Sequence, residues 1–163
     1  MNEAYLLTGG NMGDRTAYLQ QAAKLMEENC GEITRHSSIY KTAAWGFTAQ
    51  ADFYNQVLLL RTELSAEDLM QTVLRIEEEM GRKRLTKMGP RIIDIDILFF
   101  NDEVVRVPFL TIPHPHLHER RFTLIPLAEI APHKVHPVLH QTIEQLLDKC
   151  ADTLPVHKIS TAS

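Results

Sequence analysis

Apolar and polar positions follow two alternating periods through the first part of the chain. The run "AYLLTGG" is apolar and ends in a glycine pair, which predicts a short buried strand. "NMGDR" then opens a helix with Asp14 as its N-cap; Tyr18, Ala22, Leu25 and Met26 recur at helical spacing, and Gly31 stops it. Residues 32–41, "EITRHSSIYK", carry the β-branched and aromatic content of a strand. "TAAWGFTAQAD" has no clean period and reads as a loop, and "FYNQVLLLRTEL" reads as the next strand. Ser65 followed by Asp68 resembles a capping box, with Leu69, Val73, Ile76 and Met80 on one helical face before Gly81. A basic segment then reads as a loop, and "RIIDIDILFF" as a strand.

The resulting order, β-α-β-β-α-β, matches a ferredoxin-like α+β unit: an antiparallel sheet with both helices on one face and the other face open for a site. Past residue 101 the chain is rich in Pro and His, "VPFLTIPHPHLHERRF", and "TIEQLLDKC" carries a short helical signal. The 163 residues suffice for one core and not for two, so residues 1–163 are expected to form a single domain. Its core is expected to span about residues 3–132, with a C-terminal extension over 133–163.

Composition narrows the class. With 44% apolar and 23% charged residues and no apolar run long enough for a membrane span, a soluble protein is expected. The N-terminal segment has Glu3 and no basic residue before its apolar run, unlike a secretory signal, so the expected location is the cytoplasm. Cys30 and Cys150 form no CxxC or finger pattern, which suits a reducing compartment. A net charge of −4 argues against a general nucleic-acid binder. Yet "RKRLTKMGPR", directly after the acidic "IEEEM", gathers Arg82, Lys83, Arg84, Lys87 and Arg91 without an acid.

That positive charge borders two carboxylates. On a strand Ile93, Ile95, Ile97 and Phe99 point one way and Asp94 and Asp96 the other. Carboxylates at i and i+2 lie about 6–7 Å apart at the backbone and can converge on a hard cation. Mg²⁺ is the first candidate, because it is commonly held by one or two carboxylates together with substrate phosphates. Arginines beside it would grip phosphate oxygens through paired hydrogen bonds, with Lys87 as a point charge. The plainer alternative is a half-exposed strand whose aspartates face water, beside a solvated loop pairing with Glu77 to Glu79.

Other signals are weaker. "HPHLH" spaces His114, His116 and His118 two apart, but it has no Cys or carboxylate partner at metalloprotease spacing, so zinc ranks below a role for His114 as hydrogen-bond donor to a polyphosphate. "GGNMG" resembles a phosphate-cradling loop without the Gly-Lys-Ser/Thr ending. Phe53 and Phe122 fit a core, whereas Asn55, on the same strand face as Phe53, needs a partner for its amide if buried. An amide beside an aromatic face suits a flat heteroaromatic ligand.

Together "LTGGNMGDR", "SSIYKTAAWG", "DFYNQVLLL", "GRKR", "GPRIIDIDILFF" and "IPHPHLHERRF" resemble the 6-hydroxymethyl-7,8-dihydropterin pyrophosphokinases of folate biosynthesis, from Tyr5 to about Pro132. The resemblance implies a monomeric ferredoxin-like enzyme that transfers pyrophosphate from ATP to the pterin hydroxymethyl group and releases AMP. It implies two Mg²⁺ ions on Asp94 and Asp96, with Arg82 and Arg91 closest to the chemical step. It further implies ATP contacts from Glu77, Arg84, Lys87, Arg91, Thr111, His114 and Arg120. Phe53 and Phe122 would sandwich the pterin, Asn55 would read its edge, and the chain around Thr42, Ala43 and Trp45 would assist. Segments 43–52 and 82–91 are expected to close over the substrates. Met88 stands where many members have a lid tryptophan, Ala43 and Ala44 replace a frequent proline pair, Lys87 replaces an arginine, and Phe109 stands where some have arginine. Two rivals remain: another DxD metal-dependent transferase or phosphohydrolase, and a non-catalytic ferredoxin-like module binding RNA or a nucleotide.

Overall fold

The computed structural model describes residues 1–43, 51–81 and 92–160. The basic segment 82–91, and residues 44–50 of the expected 42–52 loop, lie outside them. The chain has a mixed α and β fold built on an antiparallel sheet. Strand β1 (Asn2–Gly10) lies centrally, flanked by β4 (Phe53–Thr62) and β5 (Asp94–Phe100). On its outer side β4 pairs with both β2 (Gly31–His36) and β3 (Ile39–Thr42). Strand β8 (Val156–Ser160) adds to the edge at β3.

The expected strand at 32–41 is thus two strands, and Ser37 is the reason. Its backbone N–H donates to Val57 O at 2.8 Å, but the Val57 N–H donates to the Ser37 hydroxyl at 2.9 Å instead of to a ladder carbonyl. The Ser37 carbonyl accepts from the Gln56 side chain at 2.8 Å. A side chain standing in for a backbone partner interrupts the ladder.

Helices α1 (Arg15–Asn29) and α2 (Ala66–Glu79) begin where expected, with Asp14 accepting from Ala17 N and Ser65 from Asp68 N. Gly81, past the end of α2, has φ +87°, a left-handed geometry that suits glycine at a helix end. Leu69, Val73, Ile76 and Met80 are buried as the helical spacing predicts; in α1 the buried stripe is Leu19, Ala22 and Met26, with Tyr18 and Leu25 at its margin. Both helices cover one sheet face, burying Leu6, Leu58, Leu60, Ile93, Ile95 and Ile97.

The second face is not wholly open. Leu7, Val57, Leu98 and Phe99 pack there against α3 (Arg121–Ile130) and α4 (Ile143–Lys149) through Leu124, Leu127, Ile143 and Leu146. Phe99 therefore departs from the expected face. The β1–β5 register passes from Leu6↔Ile97 to Tyr5↔Phe99, leaving Leu98 as the extra residue of a bulge, and every residue beyond a bulge changes face. Pro126 inside α3 hid that helix from a periodicity reading. The hairpin of β6 (Val105–Val107) and β7 (Leu110–Ile112) forms a separate small sheet beside β5. Among the described residues no helix is long and apolar enough to cross a membrane. Burial pushes the Cys30 thiol up to about 11, which leaves it an unreactive core residue.

Candidate active site

Register assembles the site. Gly9 of β1 is opposite Asp94 of β5 on one side and Asn55 of β4 on the other, and Asn55 is opposite Tyr40 of β3. Directly paired residues project to the same face, so Asp94, Gly9, Asn55 and Tyr40 form one row across four strands. Asp96 is opposite Leu7 two pairs further along, on the same face, and Thr42 is opposite Phe53 on the other flank. The interstrand spacing puts Asp94 and Asn55 about 10 Å apart at the backbone. Gly9 makes this row possible: a Cβ there would overlap the Asn55 amide oxygen. The Asn55 side chain therefore lies over Gly9, toward the aspartate strand, while remaining only 5% exposed.

The aspartates are half-buried at the start of β5, with Ile95 and Ile97 locked into the core under α1 and α2. Phe53 is half-buried at the start of β4; Thr42 is buried, and its hydroxyl has no hydrogen-bond partner among the described residues. A buried hydroxyl in that condition is suited to an incoming polar ligand. Ala43 is exposed, and Trp45 lies outside the described residues, as do Arg82, Arg84, Lys87, Arg91 and Met88.

The residues expected to contact nucleotide divide into two groups. Glu77 is 4% exposed and accepts a 2.7 Å hydrogen bond from Ile95 N, between the two aspartates, so it reaches the site from beneath the strand. His114 donates its backbone N–H to Leu98 O at 3.0 Å, which ties it to β5. Its Nδ1 accepts from His116 N at 3.2 Å, so the neutral ring carries its proton on Nε2 and has a donor to offer. Burial, with Arg120 and His116 nearby, lowers its pKa to about 4 and keeps it neutral at physiological pH. The Arg120 guanidinium lies 5.6 Å from the centre of the Phe122 ring. Arg120 thus lies near both His114, expected at the nucleotide, and Phe122, expected at the heterocycle. Thr111 is exposed on β7, in register with Arg106.

Among the described residues no three His, Cys, Asp or Glu side chains gather as a metal-holding group. Within residues 114–118, His116 and His118 both contact Glu119, at 3.2 and 3.6 Å, the His114 and His116 rings lie 6.0 Å apart, and His118 also stands edge-on to His136 at 6.4 Å.

Several supporting residues escaped sequence reasoning. Asn11 donates to Ala51 O at 3.1 Å and Arg15 to Asp52 O at 2.7 Å, with the Arg15 guanidinium 3.9 Å from the centre of the Tyr54 ring. "GGNMGDR" therefore anchors the chain just ahead of Phe53, and its glycine pair belongs to β1. Glu129 of α3 accepts from Ser38 N at 2.7 Å, Ser38 Oγ at 2.8 Å and Tyr40 OH at 3.1 Å, fastening the Phe122 helix to the strand that carries Thr42. Only the NxxxR and SxY spacings marked these residues, and neither is distinctive. An open cavity of about 650 Å³ lies at the other end of the same sheet face, lined in part by Glu3, Tyr5, Arg35 and Arg61; it is remote from the row.

Residues 5–132 match the family model described as 7,8-dihydro-6-hydroxymethylpterin-pyrophosphokinase. A 2-amino-4-hydroxy-6-hydroxymethyldihydropteridine pyrophosphokinase of Aquifex aeolicus is 42% identical over 145 residues, covering 89% of this chain and 90% of the relative. The enzyme of the same name from Bacillus subtilis is 43% identical over 130 residues, covering 79% and 78%. The Plasmodium falciparum HPPK-DHPS wild-type crystal structure with pteroate superposes over 91% of this chain with a TM-score of 0.76. At 20% identity that likeness concerns the fold, and this chain spans 42% of that longer one. On the family match and these identities, the chain belongs to the 7,8-dihydro-6-hydroxymethylpterin-pyrophosphokinase family.

Proposed function

We propose that this chain transfers the terminal pyrophosphoryl group of ATP to the hydroxymethyl oxygen of 6-hydroxymethyl-7,8-dihydropterin, yielding the pterin diphosphate and AMP for folate biosynthesis. The observation that carries the reading is the row Asp94, Gly9, Asn55 across adjacent strands, which sets a carboxylate pair beside a buried amide. That is the juxtaposition needed to bring a polyphosphate and a heterocycle together.

Asn55 and the Thr42 hydroxyl supply polar contacts to the pterin edge, and Phe53 and Phe122 supply its aromatic faces. His114 donates from Nε2 to a phosphate oxygen, and Arg120 and Thr111 complete that side. Arg82, Arg84, Lys87 and Arg91 are assigned to the phosphates, and Trp45 and Ala43 to the pterin, by their positions in the family motifs. The donor set of Asp94 and Asp96, two hard oxygen groups on one face, fits Mg²⁺ completed by water and phosphate. Two bound Mg²⁺ ions would neutralise the phosphate oxygens and lower the pKa of the attacking hydroxyl. No protein side chain is then required as a strong base.

The sheet order β5-β1-β4 followed by β2 and β3 supports a ferredoxin-like reading in which the second strand is split. Because both apolar clusters share that sheet, residues 1–163 are read as one domain, with 133–163 as a cap on the core. We further read the protein as a cytoplasmic monomer acting on small molecules and not on nucleic acid. The deciding experiment incubates the protein with ATP, Mg²⁺ and 6-hydroxymethyl-7,8-dihydropterin and resolves the nucleotides. Stoichiometric AMP and pterin diphosphate are expected. ADP, inorganic phosphate, or turnover only with a nucleotide sugar would overturn the reading.

A further inference from the structure

We infer that Glu77 is a positioning residue: its carboxylate fixes the β5 backbone between Asp94 and Asp96 and thereby sets the direction of both aspartates. The inference rests on the proposed role of those aspartates as the metal-holding pair.

Three observations lead to it. Among the described residues strand β5 is the outer strand of its side of the sheet, and no described strand pairs with its outward N–H groups. The Ile95 N–H instead donates to Glu77 Oε2 at 2.7 Å, a short charge-assisted bond. The Ile95 side chain is buried in the helix-covered core, so the peptide between the aspartates is held both by packing and by this bond.

Burying a carboxylate at the position of Glu77 has a cost. Glu77 lies in the last turn of α2, where the helix dipole disfavours negative charge, and it is 4% exposed, where a carboxylate loses hydration. What the carboxylate adds is a fixed acceptor at one backbone point, midway between two side chains that must converge on a cation. Small errors in such placement are costly to catalysis.

The test compares Glu77→Ala and Glu77→Gln; the glutamine keeps an acceptor oxygen and removes the charge. Amide exchange at Ile95, read by NMR without metal or nucleotide, is expected to quicken at least about tenfold in the alanine variant and to recover in the glutamine variant. In steady state Glu77→Ala is expected to lower kcat about 10- to 100-fold and to raise the Mg²⁺ concentration for half-maximal rate. Both KM values should stay within about threefold, and Glu77→Gln should recover about tenfold of the lost kcat.

Unchanged Ile95 exchange in Glu77→Ala would overturn the inference, as would a rise in the KM for ATP with kcat preserved, or glutamine behaving like alanine. If the alanine variant fails to fold, the glutamine variant decides: Ile95 exchange within about threefold of the parent is expected, and a tenfold acceleration overturns. Asp96→Ala assayed in parallel separates the two levels. Full turnover in that variant would sink the metal-pair reading, whereas its loss together with unaltered Ile95 exchange in Glu77→Ala would sink only the role of Glu77.

Discussion

The two faces of one sheet do different work with the same strands. Under α1 and α2, β1, β4 and β5 present Leu6, Leu58, Leu60, Ile93, Ile95 and Ile97, a surface whose contribution is burial. On the reverse, the same strands present Asp94, Asn55 and Phe53 at one end and Leu98 and Phe99 at the other, with Asp96 in the row between beside Leu7 and Val57; the four apolar residues pack under α3 and α4. The difference shows how a carboxylate pair can sit in a strongly apolar strand: one face gives β5 its position, and the other is left free to carry charge. The C-terminal helices bury the part of the reverse face that carries no chemistry.

The widest gap between the faces should appear in Asp96→Ala or Asp94→Ala. Turnover, measured as AMP release, is expected to fall at least about 10³-fold with little change in melting temperature. Near-normal AMP release would erase the distinction. On the opposite face, Leu69→Ala in α2 removes a fully buried side chain and is expected to cost about 3 kcal/mol of unfolding free energy in a denaturant titration, while kcat per folded molecule is retained.

A pH experiment sharpens the contrast within the reverse face. His136, 4% exposed and edge-on to Phe99 at 5.6 Å, accepts from Val138 N and Leu139 N through Nδ1. Burial, then His118, His140 and Lys134, lowers its pKa from 6.5 to about 4. The unfolded chain therefore binds the proton more readily. The stability contributed by the neutral ring is complete above pH 6.5 and is lost as pH falls toward about 4, on the order of 2 kcal/mol. His136→Asn, which keeps an acceptor, should flatten that slope in urea titrations between those limits; an unchanged slope would show that His136 does not titrate there. The smallest effect is expected from Gly9→Ala. Its methyl group would displace the Asn55 amide, raising the KM for the pterin about tenfold while the KM for ATP changes little.

Much of this was legible in the residues. The capped helices followed from Asp14, Ser65 and the helical stripes, because caps and periodicity are local. The opposed faces of Asp94 and Ile95 followed from alternation. Phe99 did not, because one bulge residue at Leu98 reverses the faces beyond it, and nothing in "ILFF" marks a bulge. Strand β8 and helix α3 were likewise unread, the first because a short edge strand has little pattern, the second because Pro126 interrupts its periodicity.

The sequence by itself determined the elements of the core, the polarity of each face of β5, and the residue types available for phosphate, metal and heterocycle. The tertiary structure decided which of them meet: that Gly9 brings Asp94 and Asn55 into one row, that Glu129 fastens α3 to β3, and that Glu77 reaches Ile95 from beneath. Periodicity and capping act over a few residues and can be read along the chain. Strand register joins Gly9 to Asn55 and Asp94 across long separations, and it is fixed only when the whole sheet packs.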